Sequence, residues 1–445
     1  MNDELKQQVN WFRHSSPYIN NHRGKTFVLM LSGDTLDDAN FGNIIHDIAL
    51  LNSLGVRLVL VHGSRPQIER RLRQQNLTTR LHHNLRVTDA DTLTCVIEAA
   101  GALRCQIEAA LSMGLINTPM HGSRIRVCSG NFVTARPMGV HDGMDLQHTG
   151  EVRRIDRQAI QHHLDHGELV LLSNLGYSPT GEMFNLAAEE VATHAAIALK
   201  ADKLILFGDE NGVRDSKGEI RNELLAETAE RLVNQYQAKQ HDPEIAHSDQ
   251  SRLLAAAARA CREGVERCHL ISHKVDGALV AELLTRDGSG TMIIQQSYEQ
   301  VRPATIEDVG GILEVIAPLE EAGILVRRSR ELLEAEVNQF TVIERDGVII
   351  GCAALYRFPD EEVGELACVA VNGDYRGGDR GEILLSAIEK SAREAGLKKL
   401  FVLTTRTAHW FVEHGFSAAE LSDLPNQKQA IYNLQRNSKA FIKQL

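Results

Sequence analysis

The sequence lacks long apolar runs, and this absence excludes several kinds of protein. No segment approaches the roughly 20 apolar residues of a membrane-spanning helix. Residues 1–8 contain no apolar core of the kind that a secretory signal needs. The seven cysteines are an odd number, are widely spaced and include no CxxC pair, which is typical of reduced thiols in the cytosol. We therefore expect a cytoplasmic protein with no membrane association.

The sequence is also poor in positive charge. It has 48 lysines and arginines against 59 aspartates and glutamates, for a net charge of -11. Such a chain as a whole is not attracted to nucleic acid or to an anionic membrane, so both are excluded as partners. Its 445 residues, 43% hydrophobic and 24% charged, predict a globular protein of two or three domains.

Apolar strand-like runs alternate with helix-like segments over the first two-thirds of the chain. Strands that are apolar throughout and separated by helices predict a mainly parallel sheet covered on both faces. We therefore expect an α/β domain, an αβα sandwich, over residues 1–294. The strand-like runs are 27–31, 57–62, 169–173, 203–207 and 268–272.

The pattern changes near residue 295. The polar stretch 295–299 is predicted to be a linker. Further on, Asp346-Gly347 separates two β-rich runs, which is a strong hairpin signal. We expect a second domain of the α+β class over residues 300–445.

A glycine-rich loop between a strand and a helix is the most informative motif. It follows the strand-like run 365–371. Glycines let the backbone approach a ligand, and N–H groups at a helix start bind anions, so the loop predicts a diphosphate site. Arginines in the loop add positive charge. The predicted binding residues are Arg376, Gly377, Gly378, Asp379, Arg380 and Gly381.

This segment resembles the pyrophosphate loop of the GNAT acetyltransferase superfamily, and the order of elements over 300–445 matches it. The resemblance implies an acyltransferase with acetyl-coenzyme A as co-substrate. The backbone N–H groups of Cys368 and Val369 would polarise the thioester carbonyl, as in an oxyanion hole. Two residues depart from the pattern: Asp379 replaces a glycine of the loop, and Phe411 replaces the tyrosine that usually protonates the leaving thiolate.

Residues 20–295 resemble the amino-acid kinase family. Active members carry a lysine after the first strand, where this chain has Ser32-Gly33-Asp34, and three glycines where it has Gly63-Ser64-Arg65. Phosphoryl transfer depends on positioning and on cations, so these losses predict a domain that is inactive as a kinase. The resemblance rests on the segments 59–68, 184–189, 199–206 and 288–293.

Arginine-sensitive members of this family bind L-arginine beneath an N-terminal helix. The matching helix here carries Tyr18, which could pack against the arginine stem. Glu282 could pair with the guanidinium, and Lys203 could meet the carboxylate. The expected effector residues are Tyr18, Lys203, His269, Glu282, Gly288 and Gly290.

A degenerate amino-acid kinase domain joined to a GNAT domain resembles the bacterial N-acetylglutamate synthase family. The resemblance implies transfer of acetyl to the α-amino group of L-glutamate, the first step of arginine biosynthesis, with feedback inhibition by L-arginine. It also suggests a homo-oligomer, with a hexamer favoured.

A general base must remove a proton from the substrate ammonium before it attacks. We assign this role to Glu365, acting directly or through a water, and an acetylated Cys368 intermediate is an alternative. Arginine forks suit the two carboxylates of glutamate. The expected substrate residues are the Leu325 backbone, Arg327 with Arg328 as an alternative, Arg436 and Ser438.

Two further functions and one metal site are alternatives. A bifunctional enzyme would also phosphorylate N-acetylglutamate, and a non-catalytic arginine sensor would only bind acetyl-coenzyme A. The cluster His162-His163-Leu164-Asp165-His166 invites a metal ion, but no cysteine or carboxylate stands near it at a recognised spacing. We expect no metal.

Overall fold

The structure, a computed structural model, describes residues 3–82, 85–114, 118, 120–215, 218–238, 249–285, 287–295, 299–345, 347–375, 380–430 and 438–445. The chain divides into two compact units, residues 1–296 and 297–445. In the described part, no helix combines the length and the apolar character needed to cross a membrane.

The first unit is built on an eight-stranded sheet in the order β14-β16-β15-β13-β1-β2-β10-β5. All neighbouring pairs are parallel except β15 and β16. The strands are β1 Thr26–Leu31, β2 Arg57–His62, β5 Val127–Ser129, β10 Leu169–Ser173, β13 Lys203–Gly208, β14 Glu223–Leu225, β15 Arg267–Ser272 and β16 Thr291–Ile294.

Helices cover both faces of this sheet. On β1, Val28 and Met30 face one apolar cluster, whereas Phe27, Leu29 and Leu31 face another. The predicted αβα sandwich is confirmed. The helices are α1 Asp3–His22, α2 Gly33–Asp37, α3 Phe41–Ser53, α4 Arg65–Gln74, α5 Ala90–Leu111, α6 Arg157–Asp165, α7 Ala188–Leu199, α8 Ala226–Ala238, α9 Asp249–Arg262 and α10 Ala278–Leu284.

Short strands form the rest of the first unit. A four-stranded sheet has the order β12-β11-β6-β9, and β3 with β4 and β7 with β8 form two-stranded ribbons. Their bounds are β3 Leu81–His82, β4 Leu85–Arg86, β6 Val133–Pro137, β7 Val140–His141, β8 Met144–Asp145, β9 Gly150–Ile155, β11 Leu175–Tyr177 and β12 Met183–Asn185.

The second unit has a seven-stranded sheet in the order β17-β18-β19-β20-β21-β23-β22. The predicted hairpin is β18–β19. The strands are β17 Gln300–Pro303, β18 Phe340–Arg345, β19 Val348–Phe358, β20 Val363–Val371, β21 Lys399–Thr404, β22 Ser417–Ala419 and β23 Lys439–Gln444. The α-helices are α11 Val309–Glu321, α12 Arg330–Glu336, α13 Arg380–Glu394, α14 Ala408–Glu413 and α15 Asn426–Ala430.

Two helices pack on opposite faces of this second sheet. Ile312 and Ile316 of α11 share a cluster with Cys352 of β19, whereas Leu384 and Ile388 of α13 pack on the other face. Mixed strand directions and helices on both faces make this unit α+β, so the predicted fold class is confirmed. Short 3₁₀ turns lie at Ile306–Asp308, Val337–Gln339, Pro359–Glu361, Gly373–Tyr375 and Leu421–Asp423.

Candidate active site

A cleft opens between two parallel strands of the second unit. Strands β20 and β21 pair only from Val363–Lys399 to Glu365–Phe401, although both strands continue beyond these pairs. A cavity of about 780 Å³ lies there. Its lining includes Leu325, residues 366–371 of β20, residues 380–382 at the start of α13, residues 402–404 of β21, and Arg406, Thr407, Trp410 and Phe411.

A β-bulge shapes the β20 side of this cavity. Cys352 pairs with Ala370, and Ala354 pairs with Ala367, so Cys368 and Val369 together oppose one residue of β19. Cys368 has a φ of 53°, in the left-handed backbone region that residues other than glycine rarely adopt. Such a bulge redirects the backbone and interrupts the ladder, which suits N–H groups that must face a ligand.

The predicted base is buried just before the cavity-lining part of β20. Glu365 is 5% exposed and lies between Tyr356 on β19 and Phe401 on β21. Its Oε2 lies 2.6 Å from Nζ of Lys428 on α15. This contact is an ion pair between a buried carboxylate and a lysine from a distant helix. No sequence motif pointed to Lys428, because it lies far from Glu365 along the chain.

The structure distinguishes the two candidate arginines in the segment after α11. Arg327 is exposed, whereas Arg328 is half-buried. The backbone N–H of Arg328 donates to Glu320 Oε1 at 3.0 Å. Burial alone would lower the pKa of the Arg328 guanidinium. The interactions with Cys368 and then Tyr356 favour its charged form more strongly, so its pKa is raised. Arg328, rather than Arg327, is therefore the arginine close enough to Cys368 and Tyr356 to interact with their side chains.

Tyr356 is a second polar group near the bulge that sequence reasoning missed. Its hydroxyl donates to Glu336 Oε2 at 2.6 Å. Burial, followed by this hydrogen bond, raises the pKa of Tyr356. The tyrosine therefore stays neutral, and it holds Glu336 on the same side as Arg328.

The predicted phosphate loop lies partly within the described residues, at Arg380 and Gly381. Arg376, Gly377, Gly378 and Asp379 lie outside the described residues. Nε of Arg380 donates to both carboxylate oxygens of Glu299 at 3.0 Å, and another guanidinium nitrogen donates to Tyr375 O at 2.9 Å. These bonds tie the start of α13 to the residues before β17.

Gly381 lies against an aromatic ring. A Cβ at this position would come within 3.1 Å of Trp410, which is closer than such contacts usually are. The glycine therefore lets α13 approach Trp410, and both residues line the cavity.

The far end of the cavity carries hydroxyl groups. Thr404 ends β21, and its Oγ1 lies 2.9 Å from Oγ1 of Thr407 and accepts the Thr407 N–H at 3.1 Å. Half-buried Ser438 directly precedes Lys439, which pairs with Thr404. Arg436 lies outside the described residues.

The expected effector residues of the first unit lie in one buried cluster. Lys203 Nζ donates to His269 Nε2 at 3.4 Å, and His269 Nδ1 donates to Glu282 Oε1 at 2.6 Å. Burial and then Lys203 lower the pKa of His269, which stays neutral in this chain. The backbone N–H groups of Ser289 and Gly290 donate to Glu282 Oε2 at 2.6 and 2.8 Å.

Two glycines allow the loop beside Glu282 to close. A Cβ on Gly288, whose φ is 67°, would lie 2.6 Å from Glu282 Oε2, and a Cβ on Gly290 would overlap Leu270 O at 2.1 Å.

Tyr18 of α1 is half-buried against the apolar cluster on this face of the sheet. Glu282 thus uses three of about four acceptor positions within the protein.

A separate cavity of about 340 Å³ lies where the first unit would carry out kinase chemistry. Its described lining contains no lysine. Burial, followed by Asp249 and Asp209, raises the pKa of Asp34. Nε of Arg252 donates to Glu189 Oε1 at 2.8 Å. Carboxylates in this lining would repel a transferring phosphoryl group, although Arg65, Arg86 and Arg252 also line the cavity. The loss of kinase activity stays a prediction.

The histidine cluster departs from its sequence-based description. Cys128 Sγ lies 3.4 Å from His163 Nε2, and Glu168 Oε2 lies 2.6 Å from His163 Nδ1. Sequence spacing did not point to these neighbours, because Cys128 on β5 and Glu168 before β10 reach His163 of α6 only in the folded chain.

The comparisons agree with this two-part architecture. Residues 25–272 match the Amino acid kinase family, and residues 312–416 match the Acetyltransferase (GNAT) family. Amino-acid acetyltransferases from Azotobacter vinelandii and from Pseudomonas fluorescens Pf-5 are each 59% identical to the chain, over 99% of it and 100% of their own length.

Two solved structures are also similar over nearly the whole chain. N-acetylglutamate synthase from Neisseria gonorrhoeae, complexed with coenzyme A and L-arginine, is 36% identical with a TM-score of 0.86, and the match covers 98% of this chain and 99% of that one. The same enzyme complexed with coenzyme A and N-acetyl-glutamate is 37% identical with a TM-score of 0.61, at the same coverage.

The cleft between β20 and β21 and the family matches define an acyltransferase of the GNAT class, preceded by an amino-acid kinase fold. The chain belongs to the amino-acid acetyltransferase family. The predicted family and enzyme class are confirmed.

Proposed function

We propose that this enzyme transfers acetyl from acetyl-coenzyme A to the α-amino group of L-glutamate and that L-arginine inhibits it. The observation that carries the proposal is the open cleft between β20 and β21, with a bulge at Cys368 and buried Glu365 directly before it. The similarity to a synthase complexed with coenzyme A, and with N-acetyl-glutamate or L-arginine, supports the choice of ligands. Catalysis belongs to residues 300–445 and regulation to residues 1–294.

Acetyl-coenzyme A binds in the 780 Å³ cavity as co-substrate. The start of α13 lines that cavity, so its N–H groups and the loop before it receive the diphosphate. Arg380 is held by Glu299 and fixes the helix start, while the loop glycines allow close approach. No metal ion is needed for this transfer, because the thioester is already reactive towards an amine.

The thioester lies against the bulge on β20. Backbone N–H groups of Cys368 and Val369 donate to the carbonyl oxygen, and they stabilise the charge that develops when the amine attacks. Cys368 is 5% exposed, and its side chain belongs to the apolar cluster under α11. We therefore assign it packing and backbone donation, and direct attack rather than an acetyl-cysteine.

Glutamate enters on the side of Arg328 and the Leu325 backbone. The half-buried guanidinium of Arg328 binds one substrate carboxylate, and this assignment replaces exposed Arg327. Ser438 and Arg436 bind the other carboxylate from the β23 end. Two cationic sites select a dicarboxylic amino acid over its amide.

Glu365 removes a proton from the substrate ammonium, directly or through one water. The neutral amine attacks the carbonyl carbon and the C–N bond forms. The nitrogen of the tetrahedral intermediate then loses a second proton to water, and the C–S bond breaks as the intermediate collapses to the amide. The proton taken by Glu365 passes to solvent. Coenzyme A leaves as a thiolate and is protonated by water beside the Thr404–Thr407 hydroxyl pair, because Phe411 has no proton to give.

Arginine acts at the Lys203–His269–Glu282 cluster beneath α1. The remaining acceptor position of Glu282 receives the guanidinium, and Tyr18 covers the aliphatic stem. Inhibition then requires arginine to bind two states of the enzyme unequally. On the outer side of α1, Trp11 and Phe12 are 45% and 63% exposed, which supports assembly of copies, favoured as a hexamer, through this helix.

The decisive experiment measures thiol release from acetyl-coenzyme A with L-glutamate, with and without L-arginine. Glutamine and aspartate serve as matched amines. Release that requires glutamate and falls with arginine supports both parts of the proposal. Release with another amine in place of glutamate contradicts the substrate, and release that ignores arginine contradicts the effector site.

A further inference from the structure

Three groups with metal-binding chemistry meet outside both proposed sites. Cys128 lies on the edge strand β5, His163 lies on α6, and Glu168 directly precedes β10. Ligand atoms of all three lie within 4.8 Å of one another. The His163 and Glu168 side chains are 28% and 26% exposed, so solutes can reach the cluster.

Glu168 fixes the orientation and tautomer of the imidazole. An ionised carboxylate can only accept, so Nδ1–H of His163 donates to Glu168 Oε2 across 2.6 Å. Nε2 therefore carries the lone pair, and it faces Cys128 Sγ at 3.4 Å. Carboxylate–histidine pairs of this kind orient histidine ligands in zinc sites.

The spacing of the two donor atoms fits a tetrahedral ion. Zinc at about 2.3 Å from sulfur and about 2.0 Å from nitrogen separates the two atoms by about 3.5 Å. We propose that Cys128 Sγ and His163 Nε2 bind a zinc-class divalent ion, with Glu168 holding the imidazole. The remaining positions face an open pocket lined by Glu108 and Ser129, where water can complete the coordination.

The charges around the two donor atoms favour a cation. The carboxylate of Glu168 lies against His163, and Glu108 lines the same pocket. Their negative charge attracts a divalent ion, which displaces the thiol proton when it binds. Arg104 also lines the pocket, and Glu108 lies 3.6 Å from it and offsets its charge.

The test is a Co²⁺ titration of the full-length, tag-free, reduced chain, followed by competition with Zn²⁺. Thiolate coordination gives a charge-transfer band in the near ultraviolet, and the proposal expects one equivalent per chain. Cys128→Ser and His163→Gln should abolish the band, whereas Cys105→Ser on α5 and His162→Gln should retain it. Glu168→Gln should weaken binding about 10- to 100-fold.

The result that overturns the proposal is a wild-type chain without the band, or a band that survives both Cys128→Ser and His163→Gln. Circular dichroism melting of each variant separates loss of ligands from loss of fold. If Cys128→Ser does not fold, His163→Gln and Glu168→Gln decide between the outcomes. Acetyl transfer to glutamate is a separate readout, so this proposal can fail while the proposed function stands.

Discussion

Lys428 Nζ lies 2.6 Å from Oε2 of Glu365, although the two residues are 63 positions apart. The glutamate belongs to an interior strand, and the lysine belongs to the short helix α15, which ends at Ala430. A buried carboxylate without a cation is costly, so Lys428 offsets the cost of burying Glu365. In the proposed reaction the substrate ammonium approaches the same carboxylate, where it would compete with Lys428.

Replacing Glu365 by glutamine tests the base. We expect kcat to fall about 10²- to 10⁴-fold, because the amide cannot accept the ammonium proton. The KM for acetyl-coenzyme A should change little. Exposed Asp360→Asn is the matched control, and steady-state thiol release is the measurement. A glutamine variant with wild-type turnover would remove Glu365 from the role.

Replacing Lys428 by methionine tests the ion pair. We expect kcat to fall about 10-fold, because the buried carboxylate loses the charged partner that holds it in place. Lys428→Arg keeps the charge and should retain most of the turnover. A methionine variant with wild-type turnover and lower thermal stability would reduce Lys428 to a structural role.

Two arginine variants test which guanidinium binds glutamate. Arg328→Ala should raise the KM for glutamate about 10- to 100-fold, because a charge-assisted contact is worth about 1.5–3 kcal/mol. Arg327→Ala, at the neighbouring exposed arginine, is the matched control and should leave the KM for glutamate within about twofold of the wild type. The reverse pattern would return the assignment to Arg327.

Glu282→Gln tests the effector cluster. Half-maximal inhibition should need at least about 10-fold more arginine, because a charged acceptor of the guanidinium is lost. Turnover without arginine should be unchanged, since Glu282 lies outside the acetyltransferase unit. Glu263→Gln, an exposed residue paired with Arg259, is the control. Unaltered inhibition in a folded, active Glu282→Gln variant would contradict the site.

Two buried histidines predict how stability depends on pH. Burial lowers the pKa of His22, the last residue of α1, to about 4, and that of His62, the last residue of β2, also to about 4. The unfolded chain therefore binds more protons below pH 6.5, and stability falls as the pH drops from 6.5 to 4. Each residue contributes on the order of 3 kcal/mol to that loss.

Urea unfolding at several pH values measures this dependence. The slope should weaken in His22→Gln and in His62→Gln, whereas exposed His141→Gln should match the wild type. A free energy of unfolding that is constant between pH 6.5 and 4.5 would contradict the assignment.

Part of this architecture could be read from local patterns alone. The runs 27–31 and 57–62 are apolar throughout because both faces of a parallel strand are buried, and the strands were found with ends within one or two residues. The glycine-rich loop before α13 pointed to the enzyme class, since a strand–loop–helix turn makes an anion site from adjacent residues. These features depend on near neighbours in the chain.

The contacts that define individual roles could not be read in this way. Arg327 and Arg328 are adjacent in the sequence, so the sequence does not show which guanidinium is half-buried. That depends on the course of the backbone after α11. Glu299 precedes Arg380 by 81 positions, and no spacing rule predicts that this glutamate holds the start of α13.

The sequence by itself determined the fold class and the family, because periodicity and motifs are local. Only the tertiary structure decided that Lys428 meets Glu365, that Arg328 rather than Arg327 is half-buried and that Cys128 and Glu168 bracket His163. Packing brings these partners from distant elements, and the strength of each contact depends on burial and distance that exist only in the folded chain.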